Sequence, residues 1–286
     1  MKHSKESALQ SMMTIAEALQ KARQKLSKVV QRPLLEAEIL LCYAIKKDRI
    51  YLHTHPEEEF ESRYFFELVQ RRLAHEPIEY ITGSVSFYGK EFYIQKGVLI
   101  PRPETEILID EVSKELKGNE AVAEIGVGSG VISAILKMKF PALKITATDI
   151  SEHAIFCAKK NFRRYNLDIE LIKTSLLDGV DKRFDVIVSN PPYIAKGFEL
   201  EPNVVNYEPH EALFGGEKGD ELLKQIIDLF LASDAKILAC EMGFDQKDTI
   251  KNYVQNKKEI TIRFFNDLAG LDRGFIMQRR NDATLD

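Results

Sequence analysis

Ala121-Val122-Ala123-Glu124-Ile125-Gly126-Val127-Gly128-Ser129-Gly130 runs directly into Val131-Ile132-Ser133-Ala134-Ile135-Leu136. A short apolar extended run meets three glycines at alternate positions, and an apolar helical pattern follows. This spells strand, glycine turn, helix. Glycine lets the main chain turn tightly and lets a ligand approach the backbone. The first turn of the helix offers N–H groups that lack intrahelical partners. The spacing is G-x-G-x-G, so the dinucleotide fingerprint G-x-G-x-x-G fits poorly.

Two later strand ends extend the pattern. Lys144-Ile145-Thr146-Ala147-Thr148 reads as a second strand and stops at Asp149. An acid in that place can accept two hydrogen bonds from a ribose diol. Phe184-Asp185-Val186-Ile187-Val188 reads as a buried strand and leads to Asn190-Pro191-Pro192-Tyr193. Proline has no backbone N–H and a fixed φ, so this segment is stiff and rich in acceptors. It suits a planar group that carries an NH2. Asn190 and the Pro191 carbonyl could accept the two hydrogens, and Tyr193 could cover one face. The plain alternative is a turn in which Pro-Pro stops the strand.

Strands are also read at Glu170–Lys173, Ala235–Cys240, Thr261–Phe265 and Gly274–Met277, with helices at Ala154–Tyr165 and Glu221–Leu231. Strands alternating with helices imply an α/β fold, a parallel sheet with helices on both faces. From about Ser7 to Ala74 the periodicity is helical throughout, so residues 1–75 are expected to form a small all-helical domain. Residues 76–103 read as a linker carrying a hairpin, with Val85–Tyr88 and Glu91–Ile94 flanking Gly89-Lys90. The sheet domain is expected over 104–280, and 281–286 as a polar tail.

Composition narrows the class. Net charge is −4 and the isoelectric point is near 6.0, so nothing draws the whole chain to nucleic acid. The first helices are locally basic: Lys2, Lys5, Lys21, Arg23, Lys25, Lys28 and Arg32 outnumber Glu6 and Glu17. Such a run is a solvated face or a contact with an acidic or RNA-associated partner. Cys42, Cys157 and Cys240 form no close pair, which points to free thiols in a reducing, cytoplasmic setting. No apolar run has the length of a membrane span, and no signal peptide is read. His3, His53, His55, His75, His153 and His210 are scattered, so no metal is expected.

Further segments carry a family resemblance: 76–83 with Phe87-Tyr88-Gly89, Val98 to Glu106 around Pro101-Arg102-Pro103-Glu104, and Asn190 to Ile194. Glu208-Pro209, Gly215-Gly216 and Gly219, Glu241-Met242-Gly243 with Gln246, and Asp267 to Arg273 complete it. Across roughly residues 8–280 the chain resembles the bacterial protein-(glutamine) methyltransferases that modify peptide chain release factors. The resemblance implies a class I, Rossmann-like methyltransferase with a seven-stranded, mostly parallel, doubly wound sheet. It implies S-adenosylmethionine as methyl donor, the glutamine of a Gly-Gly-Gln tripeptide as acceptor, and release factors, free or on the ribosome, as partners. Donor contacts then fall to Glu124, Gly126, Val127, Gly128, Ser129, Gly130, Asp149, Ser175, Leu176 and Asn190. Asn190, Pro191, Pro192 and Tyr193 would hold the substrate amide, with Asn190, Pro191 and Tyr193 catalytic. Three positions depart from the family pattern: Glu124 replaces Asp, Val127 a small polar residue, and Ser175-Leu176 an acid and an aromatic at the adenine.

Amide chemistry sets the task. The nitrogen lone pair is delocalised into the carbonyl. Acceptors along tetrahedral N–H directions favour a rehybridised nitrogen and stabilise its growing positive charge. Arg102, Glu104 and Glu241 are secondary candidates as pocket supports, and Phe87 and Ile100 as cleft walls. Two other functions compete. One is methylation of the exocyclic amine of adenine or cytosine, against which no target-recognition domain or broad basic surface is seen. The other is a non-catalytic donor-binding scaffold.

Overall fold

The computed structural model describes residues 12–280. Expectations for His3, Lys2, Lys5 and Glu6 and for the tail 281–286 lie outside the described residues. The chain divides into two compact units, one made of residues up to Gly83 with Glu201–Tyr207, the other of Ser84–Leu200 and residues from Glu208 onward.

The first unit contains β1 (Met12–Thr14), α1 (Ile15–Leu26), α2 (Pro33–Ile45), α3 (Arg49–Thr54), β2 (Glu59–Glu61), α4 (Arg63–Leu73) and α5 (Ile78–Thr82), with a helical turn at Pro202–Val205. Thr14 and Glu17 form a reciprocal capping box that starts α1. Ile15, Ala18, Ala22 and Leu26 then recur on one face and meet Leu40, Leu41, Phe65 and Leu68 in the core. Lys21, Arg23 and Lys25 of α1 and Lys28 just after it are all exposed. One feature is additional to the helices: β1 and β2 pair antiparallel as a three-residue ribbon.

The second unit begins with a hairpin, β3 (Ser84–Phe87) and β4 (Lys90–Tyr93). Phe87 pairs with Lys90, so the turn is Tyr88-Gly89 and not Gly89-Lys90. Both turn residues have left-handed φ, 51° and 68°. That is the two-residue turn whose twist matches antiparallel strands, with glycine at its second position. The rest comprises α6 (Thr105–Ser113), β5 (Ala121–Ile125), α7 (Val131–Lys139), β6 (Lys144–Asp149), α8 (Glu152–Arg164), β7 (Glu170–Lys173) and β8 (Val186–Ser189). Next come β9 (Ile194–Ala195), β10 (Phe214–Gly216), α9 (Glu221–Ala232), β11 (Ile237–Glu241), α10 (Lys247–Val254), β12 (Ile260–Asn266) and β13 (Asp272–Arg279). Seven strands form one sheet in the order β12-β13-β11-β8-β5-β6-β7. Pairing is parallel from β11 through β8, β5 and β6 to β7; β13 alone runs against its neighbours.

One sheet face packs Ile125, Ile187, Leu238, Phe275 and Met277 against Leu223, Ile226, Ile227 and Phe230 of α9. Removing each such side chain from water contributes about 1.5–3 kcal/mol. Asn161 of α8, fully buried, accepts from the Tyr93 N–H at 2.7 Å and donates to the carbonyls of Tyr93 at 2.9 Å and Ser129 at 2.8 Å. Cys42, Cys157 and Cys240 are free thiols. Burial pushes Cys157 up to about 12. No helix among the described residues is long and apolar enough to cross a membrane.

From β5 the chain proceeds outward to β6 and β7, then returns to β8 on the other side of β5. The order therefore reverses between β5 and β8. In open α/β sheets ligands bind outside the carboxyl ends of the strands at such a point.

Candidate active site

A cleft lies at that point. Its lining includes Gly126 and Gly128 after β5, Asp149 and Ile150 at the end of β6, Ser175 and Leu176 after β7, and Asn190 and Pro192 after β8. Gly97, Val98 and Leu99 face it, as do Pro209, Glu211, Ala212 and Leu222. A smaller crevice beneath the glycine turn is lined by Thr105, Glu124, Val127, Ser129 and Asn190 among others.

Gly126, Gly128 and Gly130 all take left-handed φ, at 75°, 52° and 85°. A Cβ on Gly126 or Gly128 would project into open space, whereas one on Gly130 would lie 2.8 Å from the Phe162 ring. The first two glycines form a cradle over which a ligand can lie; the third lets α7 pack on α8. Both Asp149 oxygens accept main-chain hydrogens, Oδ2 from Gly128 at 3.0 Å and Oδ1 from Ser151 at 2.9 Å. Burial raises this carboxyl above its ordinary range against the opposing pull of those N–H groups.

Glu124 sits behind the turn, 1% exposed, and takes both the N–H (3.0 Å) and the hydroxyl of Ser133 on its Oε2. It holds the first turn of α7 to the end of β5. Burial pushes its carboxyl up to about 8. A folded value raised above the ordinary 4.5 means stability that is complete below 4.5 and is lost as pH rises through 8. Glu124→Gln mimics the protonated form and does not titrate. The stability of the natural chain relative to this variant is therefore expected to fall between pH 5 and 8.5. Denaturant melts across that range would read it; a difference independent of pH would remove the assignment.

Asn190 donates from Nδ2 to Thr105 Oγ1 at 3.0 Å. Thr105 donates in turn to Glu241 Oε2 at 2.7 Å, and the Tyr193 hydroxyl donates to Glu241 Oε1 at 2.9 Å. Glu241 is 1% exposed, and burial raises its carboxyl. Burial and the Glu241 charge push the Tyr193 phenol up. Gln246 donates to the Tyr193 carbonyl at 2.9 Å and fixes the motif's backbone.

The structure thus brings Gly126, Gly128, Asp149, Ser175, Leu176, Asn190 and Pro192 to one cleft. Val127, Ser129 and Glu124 line the crevice below it, and Gly130 is packed against α8. Pro191 is buried. Leu176 has a left-handed φ of 49°, and its carbonyl accepts from Thr148 at 2.7 Å. Arg102 pairs with Glu208 at 2.6 Å, and the other oxygen of Glu208 accepts from the Ile100 N–H at 3.0 Å. Phe87, 2% exposed, meets Phe92 edge to face in the core. Glu104 makes no capping bond to α6. Sequence reasoning missed Ile150, 58% exposed on the cleft wall, and Leu222. Ile150 was detectable: an apolar residue directly after Asp149 at a strand end has no core to enter. Among the described residues no group of three or more His, Cys, Asp or Glu is placed to hold a metal.

Comparison with known proteins agrees with this geometry. Residues 103–208 match the methyltransferase small domain family, and residues 17–83 the PrmC N-terminal domain family. A release factor glutamine methyltransferase of Koribacter versatilis is 40% identical over 225 residues, 75% of this chain and 80% of that protein. One from Clostridium acetobutylicum is 35% identical over 276 residues, 91% of this chain and 97% of that protein. A solved methyltransferase from Pyrococcus furiosus shares the fold with a TM-score of 0.50 at 21% identity, covering 77% of this chain and 98% of its own. The chain belongs to the release factor glutamine methyltransferase family.

Proposed function

We propose that this chain transfers a methyl group from S-adenosylmethionine to the side-chain nitrogen of the glutamine in the Gly-Gly-Gln motif of peptide chain release factors. The carrying observation is that Asn190 shares one cleft with Gly126, Gly128 and Asp149. The residues present fit the donor: open space above two glycines suits a chain laid across the backbone, and Asp149 has lone pairs left for a ribose diol. Ile150 and Leu176 supply apolar surface for the adenine. The donor, when bound, supplies a methyl carbon activated by a sulfonium.

Asn190 Oδ1 and the Pro191 carbonyl accept the two hydrogens of the substrate carboxamide. They draw its nitrogen toward a tetrahedral shape and stabilise the positive charge that develops on it. Tyr193, its hydroxyl tied to Glu241, confines the amide plane. Asp149→Ala is expected to weaken donor binding about 10- to 100-fold, from the lost hydrogen bonds and the loosened Gly128 turn. Calorimetric titration with the donor reads this; an unchanged dissociation constant would refute the ribose assignment.

The helical unit is proposed to dock the substrate protein, in the cytoplasm, through the basic residues of α1 and of the loop between α1 and α2. Arg23→Glu with Arg32→Glu in the full chain is then expected to raise KM for release factor by about tenfold with kcat kept. An unaltered KM would reject the docking role. The function itself is tested with tritiated donor. Label is expected on recombinant release factor, free or ribosome-bound, and is expected to vanish when the tripeptide glutamine becomes alanine. Label on DNA or RNA in its place would favour the amine-of-base reading.

A further inference from the structure

We propose that Thr105 and Glu241 are positioning residues that decide which way round the Asn190 carboxamide sits. This rests on the amide-methylating reading above. The sheet register pairs Cys240 with Ser189, so the residues that follow, Glu241 and Asn190, leave neighbouring strands side by side. Thr105, the first residue of α6 and 2% exposed, bridges them.

The polarity of the bridge is fixed from its buried end. Glu241 accepts from two hydroxyls, Thr105 at 2.7 Å and Tyr193 at 2.9 Å. Burial raises the Glu241 carboxyl, and the Arg273 guanidinium, itself held by Asp267 at 2.8 Å, opposes that rise. Both Glu241 oxygens accept in this arrangement, and a threonine hydroxyl has one hydrogen to give. That hydrogen goes to Glu241, so Thr105 Oγ1 can only accept from Asn190. Of the two ends of the Asn190 amide, only Nδ2 can donate. Oδ1 is therefore the end left for a ligand.

The two ends of a carboxamide are alike in shape. Without the bridge, the flipped form would present an NH2 to the NH2 of the substrate. Donor would face donor, and the acceptor that the reaction needs would point into the protein. A buried glutamate 136 residues away in sequence from Thr105 thus selects for a substrate that donates.

The test uses four full-length variants with labelled donor and recombinant release factor. Thr105→Val removes the hydroxyl at nearly constant volume and is expected to lower kcat about 10- to 100-fold, on the scale of a lost orienting hydrogen bond. Donor affinity is expected to stay within about twofold, and Thr105→Ser to restore kcat. In an Asn190→Ala background, Thr105→Val is expected to change kcat by less than about threefold, because a residue acting through Asn190 has nothing left to orient. Near-normal kcat for Thr105→Val, equal losses in both backgrounds, or failure of serine to restore would each overturn the proposal. If the valine chain does not fold, Thr105→Ala against Thr105→Ser makes the same comparison. Labelling of release factor by the natural chain, and its loss with the tripeptide glutamine, judges the underlying reading separately.

Discussion

Asn190→Ala is expected to lower turnover by at least about 100-fold while leaving donor affinity largely unchanged, the scale seen when a transition-state hydrogen-bonding group is removed. The split follows from geometry. The glycine turn follows β5 and Asp149 ends β6, and their hydrogen bonds do not pass through Asn190. Asn190 follows β8, and its side-chain Nδ2 bonds to Thr105. Alanine removes the acceptor proposed for the substrate N–H and leaves the glycine turn and Asp149, the proposed donor site, intact. It also leaves Thr105 Oγ1 with one partner fewer, a loss of about 1 kcal/mol of stability. Single-turnover methylation with saturating donor, beside a donor titration, measures both halves. Turnover near that of the natural chain would take Asn190 out of the mechanism.

The second large effect is expected away from the chemistry, at Gly219→Ala. Gly219 has a φ of +83°, and a Cβ there would lie 2.5 Å from the Tyr193 carbonyl oxygen and 2.7 Å from the Ala195 nitrogen. Both are main-chain atoms and cannot swing aside. Left-handed strain of about 1–2 kcal/mol adds to about 1–3 kcal/mol for overpacking. The backbone that must yield belongs to the residues directly after Asn190-Pro191-Pro192. Displacement of about 1 Å at a reacting group costs around 100-fold in rate. Gly219→Ala is therefore expected to lower the melting temperature and turnover together. Gly215 reports on the same packing, since its Cβ would lie 2.4 Å from the Pro192 carbonyl oxygen. A Gly219→Ala chain with normal melting and normal kcat would show that β9 and β10 do not hold the motif in place.

What was legible in the sequence was local. The glycine turn, Asp149 and Asn190-Pro191-Pro192-Tyr193 each follow a strand within a few residues, so a period-two run and its breaker locate them. The alternation of strands and helices gave the sheet, with ends displaced: Ala235–Cys240 was read where Ile237–Glu241 is found. Thr105 and Glu241 belong together only because α6 and β11 meet in space, and Glu208 reaches Ile100 across 108 residues. No spacing rule spans such gaps. The ribbon of β1 and β2 is three residues a side, too short for alternation to register. In the hairpin, glycine was placed first in the turn when its left-handed freedom serves the second position.

Asn161 has one more effect. Its amide clasps both main-chain groups of Tyr93 and the Ser129 carbonyl at once. The hairpin's second strand is thereby bolted to the glycine turn that follows β5. It cannot peel off as an independent tether, so exchange of the Tyr93 amide with heavy water should keep pace with the opening of the methyl-transfer unit. A one-residue insertion in β4 would break the clasp and unseat both ends in a single stroke.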